Sequence, residues 1–325
     1  MDRDYSISII RVLAMLAIVA CHIFQSQDMS IAFWLNIGVQ IFLFMSGFLY
    51  GKKTITNTSE WLKKQFKKIL LPYYIYISII IVFYIIFARE YLSIWNVLSL
   101  FLNLQLVIQA PIGLGHLWFI PVILICYLVT PVLQKILKSN EKFGFKQCAI
   151  LLIIAGVVEA LFLQNFINIG ICNVMCYILG YAISYMGVKE IKIGRALSWI
   201  IMVLAIISNI MKIFILPDNY NILISALLKI LIFNSHILLG SALFIIMLKL
   251  FKTISTKIPL KLKNTIDVID KFSFNIYITH HVFILGPLAI INLTPNILIN
   301  IIIILCCTVF SAYLLENSTK LFKRR

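Results

Sequence analysis

YSISIIRVLAMLAIVACHIFQ, residues 5–25, decides the fold class of this chain. A bilayer's hydrocarbon is crossed by about 20 apolar residues wound as one helix, and this stretch has that length and character. Two of its residues, Arg11 and His22, carry chemistry that does not belong in hydrocarbon. A cation inside a spanning helix costs about 3 kcal/mol or more, so it is kept only for a partner or a function. At about 100° and 1.5 Å per residue, eleven steps return to within ~20° of the starting direction and climb ~16 Å. Arg11 and His22 therefore share one face with Ser8, Met15 and Ile18, one deep and one near the far surface. Two readings stay open at this point. Arg11 is either the structural partner of a carboxylate or helix end, with His22 interfacial, or the two line a functional conduit.

Composition extends the membrane reading to the whole chain. It is 325 residues long, 62% hydrophobic and only 12% charged, with a mean hydropathy of +1.02, far from soluble domains. The net charge of +16 does not point to nucleic acid, because no basic soluble module is long enough to carry such binding. The first apolar run is not a cleavable leader, since it opens with Asp2, Arg3 and Asp4 and lacks a small-x-small site. Ten stretches are long enough to cross: 5–25, 31–51, 69–88, 115–136, 147–165, 169–187, 196–215, 221–248, 273–292 and 296–319. An eleventh, 92–109, is interrupted by Asn96, Asn103, Gln105 and Gln109.

Charge orders these stretches. With a cytoplasmic start and ten crossings, 24 of the 28 basic residues fall in cytoplasmic segments and only Arg89 falls in an outer loop. Counting 92–109 as a crossing destroys that bias, so it reads as an outer interfacial or re-entrant helix. The segment 58–70 places Trp61, Leu62, Phe66, Ile69 and Leu70 among Lys63, Lys64, Lys67 and Lys68 at helical spacing. It reads as a basic cytoplasmic amphipathic helix against anionic lipid or an anionic ligand. The expected fold is an all-α polytopic bundle of about ten spans in one domain, 1–325, with both termini cytoplasmic and no attached soluble domain. Segment 250–271 is a basic connection that Pro259 prevents from being one continuous helix.

The remaining polar residues suggest a cavity. His116 opens the fourth stretch level with His22, His280 and His281 lie early in the ninth, and His236 lies in the eighth. Singly, each histidine reads as a packing residue; jointly they suggest a polar centre. Asn173, Tyr177, Gly180 and Ser184 form one helical stripe, as do Ser225, Lys229 and His236, and Ser273, Tyr277 and His280. Glu159 needs a cation or a proton, and Lys212 or Lys229 could supply the charge. The seven cysteines have no metal or redox spacing and read as packing residues. No nucleophile triad, phosphate loop or metal set is legible, because the adjacent His280 and His281 cannot share one helix face. A histidine base beside a buried cation is what remains.

Four ordered motifs then carry a resemblance. Arg11-x10-His22 is followed by GVQIFLFMSGFLYGKK (38–53), WLKKQFKKILLPYY (61–74), HLWFIP (116–121) and NIYITHHVF (275–283). Together they resemble the integral-membrane acyltransferase-3 family along essentially the whole chain. The resemblance implies ten spans and transfer of an acyl group, commonly acetyl, from cytoplasmic acyl-CoA to a hydroxyl of an outer-surface glycan. It implies His22 as the catalytic histidine and Arg11 as its catalytic-motif partner contacting the donor. It implies acyl-CoA as a co-substrate, with no permanently bound cofactor and no metal.

In that picture His22 is the general base and the pantetheine arm threads past Arg11. Lys63, Lys64, Lys67 and Lys68 draw in the phosphates, while His116, Trp118, His280, His281, Glu159 and Tyr277 shape the acceptor side. One departure stands out. The family commonly shows arginines before the proline, where this chain has only lysines ahead of Pro72, so the bidentate fork is absent there. A transporter of a small polar solute or glycan precursor is the alternative, because buried Arg, Lys, Glu and His also mark solute and proton pathways. Against it, no inverted repeat or matched pair of broken helices is visible. A non-catalytic subunit of a glycan-synthesis assembly is a third reading.

Overall fold

The computed structural model describes residues 4–139, 145–158, 171–187, 199, 202–204, 206–207, 209–210 and 222–324. Every regular element among them is helical. In chain order these are α1 (Tyr5–Gln25), α2 (Ile31–Leu35), α3 (Gly38–Gly51), α4 (Thr58–Phe87), α5 (Ile94–Phe101), α6 (Phe119–Ser139), α7 (Phe145–Val158), α8 (Ile171–Tyr185), α9 (Ile222–Ser255), α10 (Leu260–Thr279) and α11 (Ile297–Arg324). Single 3-10 turns form at Arg89–Tyr91, Gly115–Trp118 and His281–Phe283. Among the described residues six segments are long and apolar enough to cross a membrane: Tyr5–Gln25, Ile31–Gly51, Thr58–Phe87, Gly115–Leu137, Asn234–Ser255 and Ile297–Lys323.

Three local expectations change. The basic segment 58–70 is not a separate amphipathic helix but the N-terminal part of α4, which runs unbroken through Pro72. Proline inside a helix removes one hydrogen bond and crowds the preceding turn, together costing about 3 kcal/mol. The buried face of Ile69, Pro72, Tyr73, Tyr76, Ile77, Ile80, Ile81 and Tyr84 offsets that through tertiary packing. At 30 residues, α4 is about 45 Å long, beyond the ~30 Å of hydrocarbon. Lys63, Lys64, Lys67 and Lys68 are all exposed on its N-terminal third.

Within 92–109 the helix covers only the 8 residues of α5, capped by Ser93, whose side chain accepts from the Asn96 amide. Tyrosines of α4 fasten the chain at and beyond the end of α5: Tyr73 donates to the Leu100 carbonyl at 2.6 Å and Tyr84 to the Ile112 carbonyl at 2.6 Å.

The ninth stretch is not one helix over 273–292. The helix α10 starts after Pro259, as the break at that proline leads one to expect, and ends at Thr279. The His280 ring supplies the reason, since its Nδ1 lies 2.7 Å from the Tyr277 carbonyl and 3.1 Å from the Ile276 carbonyl. This side-chain donor caps the Tyr277 carbonyl, which a continuing helix would have used for the His281 amide, while the Ile276 carbonyl also accepts the His280 amide at 3.0 Å. Beyond it come one 3-10 turn, His281–Phe283, and Gly286 at φ +100, which turns the chain, and no α-helix resumes before α11.

Two compact units are distinguishable. One comprises the described parts of residues 1–10, 39–58 and 122–257. There α3 and α8 meet at glycines: a Cβ on Gly47 would lie 2.0 Å from the Tyr177 carbonyl oxygen, and one on Gly180 2.1 Å from that of Phe44. Such backbone approach needs small residues. Tyr177 and Thr130 share a hydroxyl hydrogen bond of 2.6 Å, and Gln40 donates to Asn173 at 3.3 Å. His236 is buried in this unit. The other unit comprises 11–38, 59–121 and 258–325 and contains Arg11, His22, His116, His280 and His281.

Candidate active site

Arg11 and His22 both face α10. The Arg11 Nη1 donates to both carboxylate oxygens of Asp270, at 2.8 and 2.9 Å. The Asp270 side chain is 2% exposed and that of Arg11 31%. One guanidinium nitrogen thus serves both oxygens, while Nε and Nη2 keep three N–H donors with no partner among the described residues. Eleven residues on, the His22 ring lies 5.3 Å from that of His280, which is ten residues beyond Asp270. The two helices therefore run parallel and meet at two levels.

The second level is a cluster of four imidazoles. His22, His116, His280 and His281 contact one another in all six pairings, with ring centroids 4.4 to 6.4 Å apart. Adjacent His280 and His281 both join it, with ring centroids 6.0 Å apart at 88°, where α10 gives way to the 3-10 turn His281–Phe283 and the other two rings lie against both. The expectation was that these two cannot share one helix face; both rings nonetheless join the polar centre that the histidines jointly suggest.

The loop before α6 completes the assembly. Gly113 at φ +88 touches Gly286, and a Cβ on it would lie 2.6 Å from the Tyr84 hydroxyl. This contact sets the Gly113 carbonyl 2.7 Å from His281 Nδ1. Tyr277 donates its hydroxyl to the backbone carbonyl of His116, so it holds the turn that presents His116.

Hydrogen bonding assigns the tautomers. His116 Nε2 lies 3.0 Å from the Ile278 carbonyl, His280 Nδ1 lies against the Tyr277 and Ile276 carbonyls, and His281 Nδ1 against that of Gly113. His22 Nδ1 lies 3.0 Å from the Gln25 amide oxygen. A backbone carbonyl only accepts, so these nitrogens of His116, His280 and His281 carry the ring proton and the opposite nitrogen bears a lone pair. For His22 the partner is a side-chain amide, and with its oxygen turned to Nδ1 the lone pair is on Nε2, where it can act as a base.

The other sequence candidates divide. Trp118 is half-buried and its ring meets Phe119, not the imidazoles. Glu159 and Lys212, and the side chain of Lys229, lie outside the described residues. Among the described residues no group of three or more His, Cys, Asp or Glu has metal-binding geometry. Sequence reasoning missed Asp270 and Gln25. Gln25 sits one turn after His22 and was legible as an i, i+3 neighbour; Asp270 was hidden in a segment read as a cytoplasmic connection.

A family profile described as an acyltransferase domain, acyltransferase-3, matches residues 4–316. The chain belongs to the acyltransferase-3 family. No curated protein and no solved structure matches it. Membership makes this chain a membrane acyltransferase in general terms, and the match spans every residue of the four-imidazole cluster and both members of the ion pair. In this acyltransferase Arg11 is thus held by a carboxylate on a neighbouring helix, and His22 is one of four clustered histidines.

Proposed function

We propose that this acyltransferase moves an acyl group, acetyl in the first instance, from cytoplasmic acyl-CoA to a hydroxyl of an outer-surface glycan at the plasma membrane. The observation that carries the reading is the place of the His22 ring, set among three other imidazoles with its Nδ1 paired to Gln25. Its Nδ1–H is held by Gln25, which leaves Nε2 free to take a proton on the face that also bears Arg11. The acceptor oxygen attacks the thioester carbonyl carbon as His22 Nε2 removes the hydroxyl proton. Collapse of the tetrahedral intermediate breaks the carbon–sulfur bond, and the imidazolium returns its proton to the CoA thiolate. Arg11 stands three helical turns below, so its part is donor binding through the edge that Asp270 leaves open. The exposed Lys63, Lys64, Lys67 and Lys68 attract the phosphates as point charges.

The ten-span topology with cytoplasmic termini belongs to the same proposal. The parallel course of α1 and α10 supports it, since both then leave the cytoplasm in the same direction. The bonds from Tyr73 and Tyr84 to segment 100–112 support a re-entrant path for that segment alongside α4.

The test uses membranes carrying the protein, labelled acetyl-CoA and a surface-glycan fraction. Labelled ester forms with wild type and is lost with His22→Ala at equal protein content. Solute entry into sealed vesicles without ester formation would establish the transporter instead.

A further inference from the structure

The four bare nitrogens are not equivalent. His116 Nδ1 and His280 Nε2 are sealed from solvent and have no hydrogen-bond partner among the described residues. The bare nitrogens of His22 and His281 are not among the sealed atoms, and these two rings form the closest of the six pairs, 4.4 Å between centroids with planes at 82°. His281 points its Nδ1–H at Gly113, so its Nε2 lies across the ring from that loop. Two lone pairs that are not sealed therefore sit on adjoining rings, and neither can donate. A ligand with a single hydroxyl satisfies one and leaves the other desolvated against it. An anionic oxygen is repelled by both. A ligand with two neighbouring hydroxyls satisfies both, one at each nitrogen, in bonds of about 2.8 Å.

We propose that His281 reads a second hydroxyl beside the one attacked, so that the acceptor of this enzyme is a vicinal diol on a sugar ring. The assignment rests on the acyl-transfer reading and deepens it. His22 takes the proton of the reacting hydroxyl, and His281 Nε2 accepts from its neighbour and fixes which oxygen faces the thioester. His116 and His280 lie behind this pair. A site built to hydrogen-bond a hydroxyl discriminates strongly against a substrate lacking it, because the buried partner is left empty.

The experiment compares a surface-glycan fraction before and after periodate oxidation and borohydride reduction, which cleaves each vicinal diol but leaves isolated hydroxyls. Membranes with wild type, His281→Phe or His281→Gln receive labelled acetyl-CoA. Wild type loses about tenfold or more of its transfer on the treated glycan. His281→Phe brings the treated-to-untreated ratio near one, and His281→Gln, which keeps a donor for Gly113 and an acceptor oxygen, restores the preference. A merely structural His281 would lower transfer to both acceptors alike.

A wild-type ratio near one, or a ratio that His281→Phe does not move, overturns the proposal. A second readout needs no variant: nuclear magnetic resonance of the labelled product places the ester beside a free hydroxyl, and an ester without such a neighbour also overturns it. Absence of any transfer by wild type to untreated glycan instead sinks the acyltransferase reading, and this inference with it.

Discussion

Arg11 with Asp270, and His22 with His280, are two meetings of the same parallel helices, yet they rest on opposite electrostatics. At the first, a cation and a carboxylate cancel, with Asp270 almost wholly buried. At the second, four neutral rings crowd together with their protons turned outward onto carbonyls. The difference teaches a division of labour. A charged pair tolerates burial only with its partner present, so it suits holding and orienting. A neutral imidazole with a bare nitrogen has little to lose until a proton arrives, so it suits catalysis.

Breaking the second level should have the largest effect. His22→Ala removes the base and should lower the turnover number by about 10³-fold, measured as labelled ester at matched membrane content. Undamaged transfer would move the base to another ring. The first level comes next. Asp270→Ala strands Arg11 and should reduce stability by about 3 kcal/mol, read as thermal unfolding in detergent. The exchange Arg11→Asp with Asp270→Arg should recover stability and leave donor KM raised. Recovery of both would make the pair purely structural.

Smaller perturbations sharpen the contrast. Gly113→Ala places a side chain at φ +88 against the Tyr84 hydroxyl. It should cost about 2 kcal/mol of strain and loosen His281, visible as lower transfer together with lower thermal stability. Gln25→Ala frees the His22 ring to take the other tautomer and should lower the turnover number about fivefold, the scale of one hydrogen bond, with KM for acyl-CoA unchanged. The smallest effects belong to the exposed lysines of α4. Any one of Lys63, Lys64, Lys67 or Lys68 changed to Gln should raise acyl-CoA KM about twofold, and that difference should fade at about 1 M salt as screening shortens the reach of each charge. Salt-independent losses would mean direct contacts instead.

Much of the site was legible in the sequence. The shared face of Arg11 and His22 comes from helical rotation alone, His116 was read as level with His22, and His280 and His281 were singled out as polar residues of the ninth stretch. What the histidines form was not legible. A helical reading of the ninth stretch turned His281 away from His280, because periodicity assumes that the helix continues. The ring of His280 ends it. Likewise 58–70 read as an interfacial helix because its lysines and apolar residues alternate at helical spacing, and in the structure it continues through Pro72 as the start of α4. Tyr277 read as a residue for the substrate, but its hydroxyl holds the His116 carbonyl.

Sequence by itself determined that this chain enters a membrane, that its first helix carries a cation and an imidazole on one side, and that its motifs resemble one acyltransferase family. These rest on hydropathy, rotation per residue and order along the chain, all of which are local. Only the tertiary structure decided that Asp270 takes the cation, that four imidazoles converge, and which nitrogen of each is bare. Those depend on contacts between residues up to 259 positions apart and on carbonyl oxygens, which every residue has and no sequence pattern singles out.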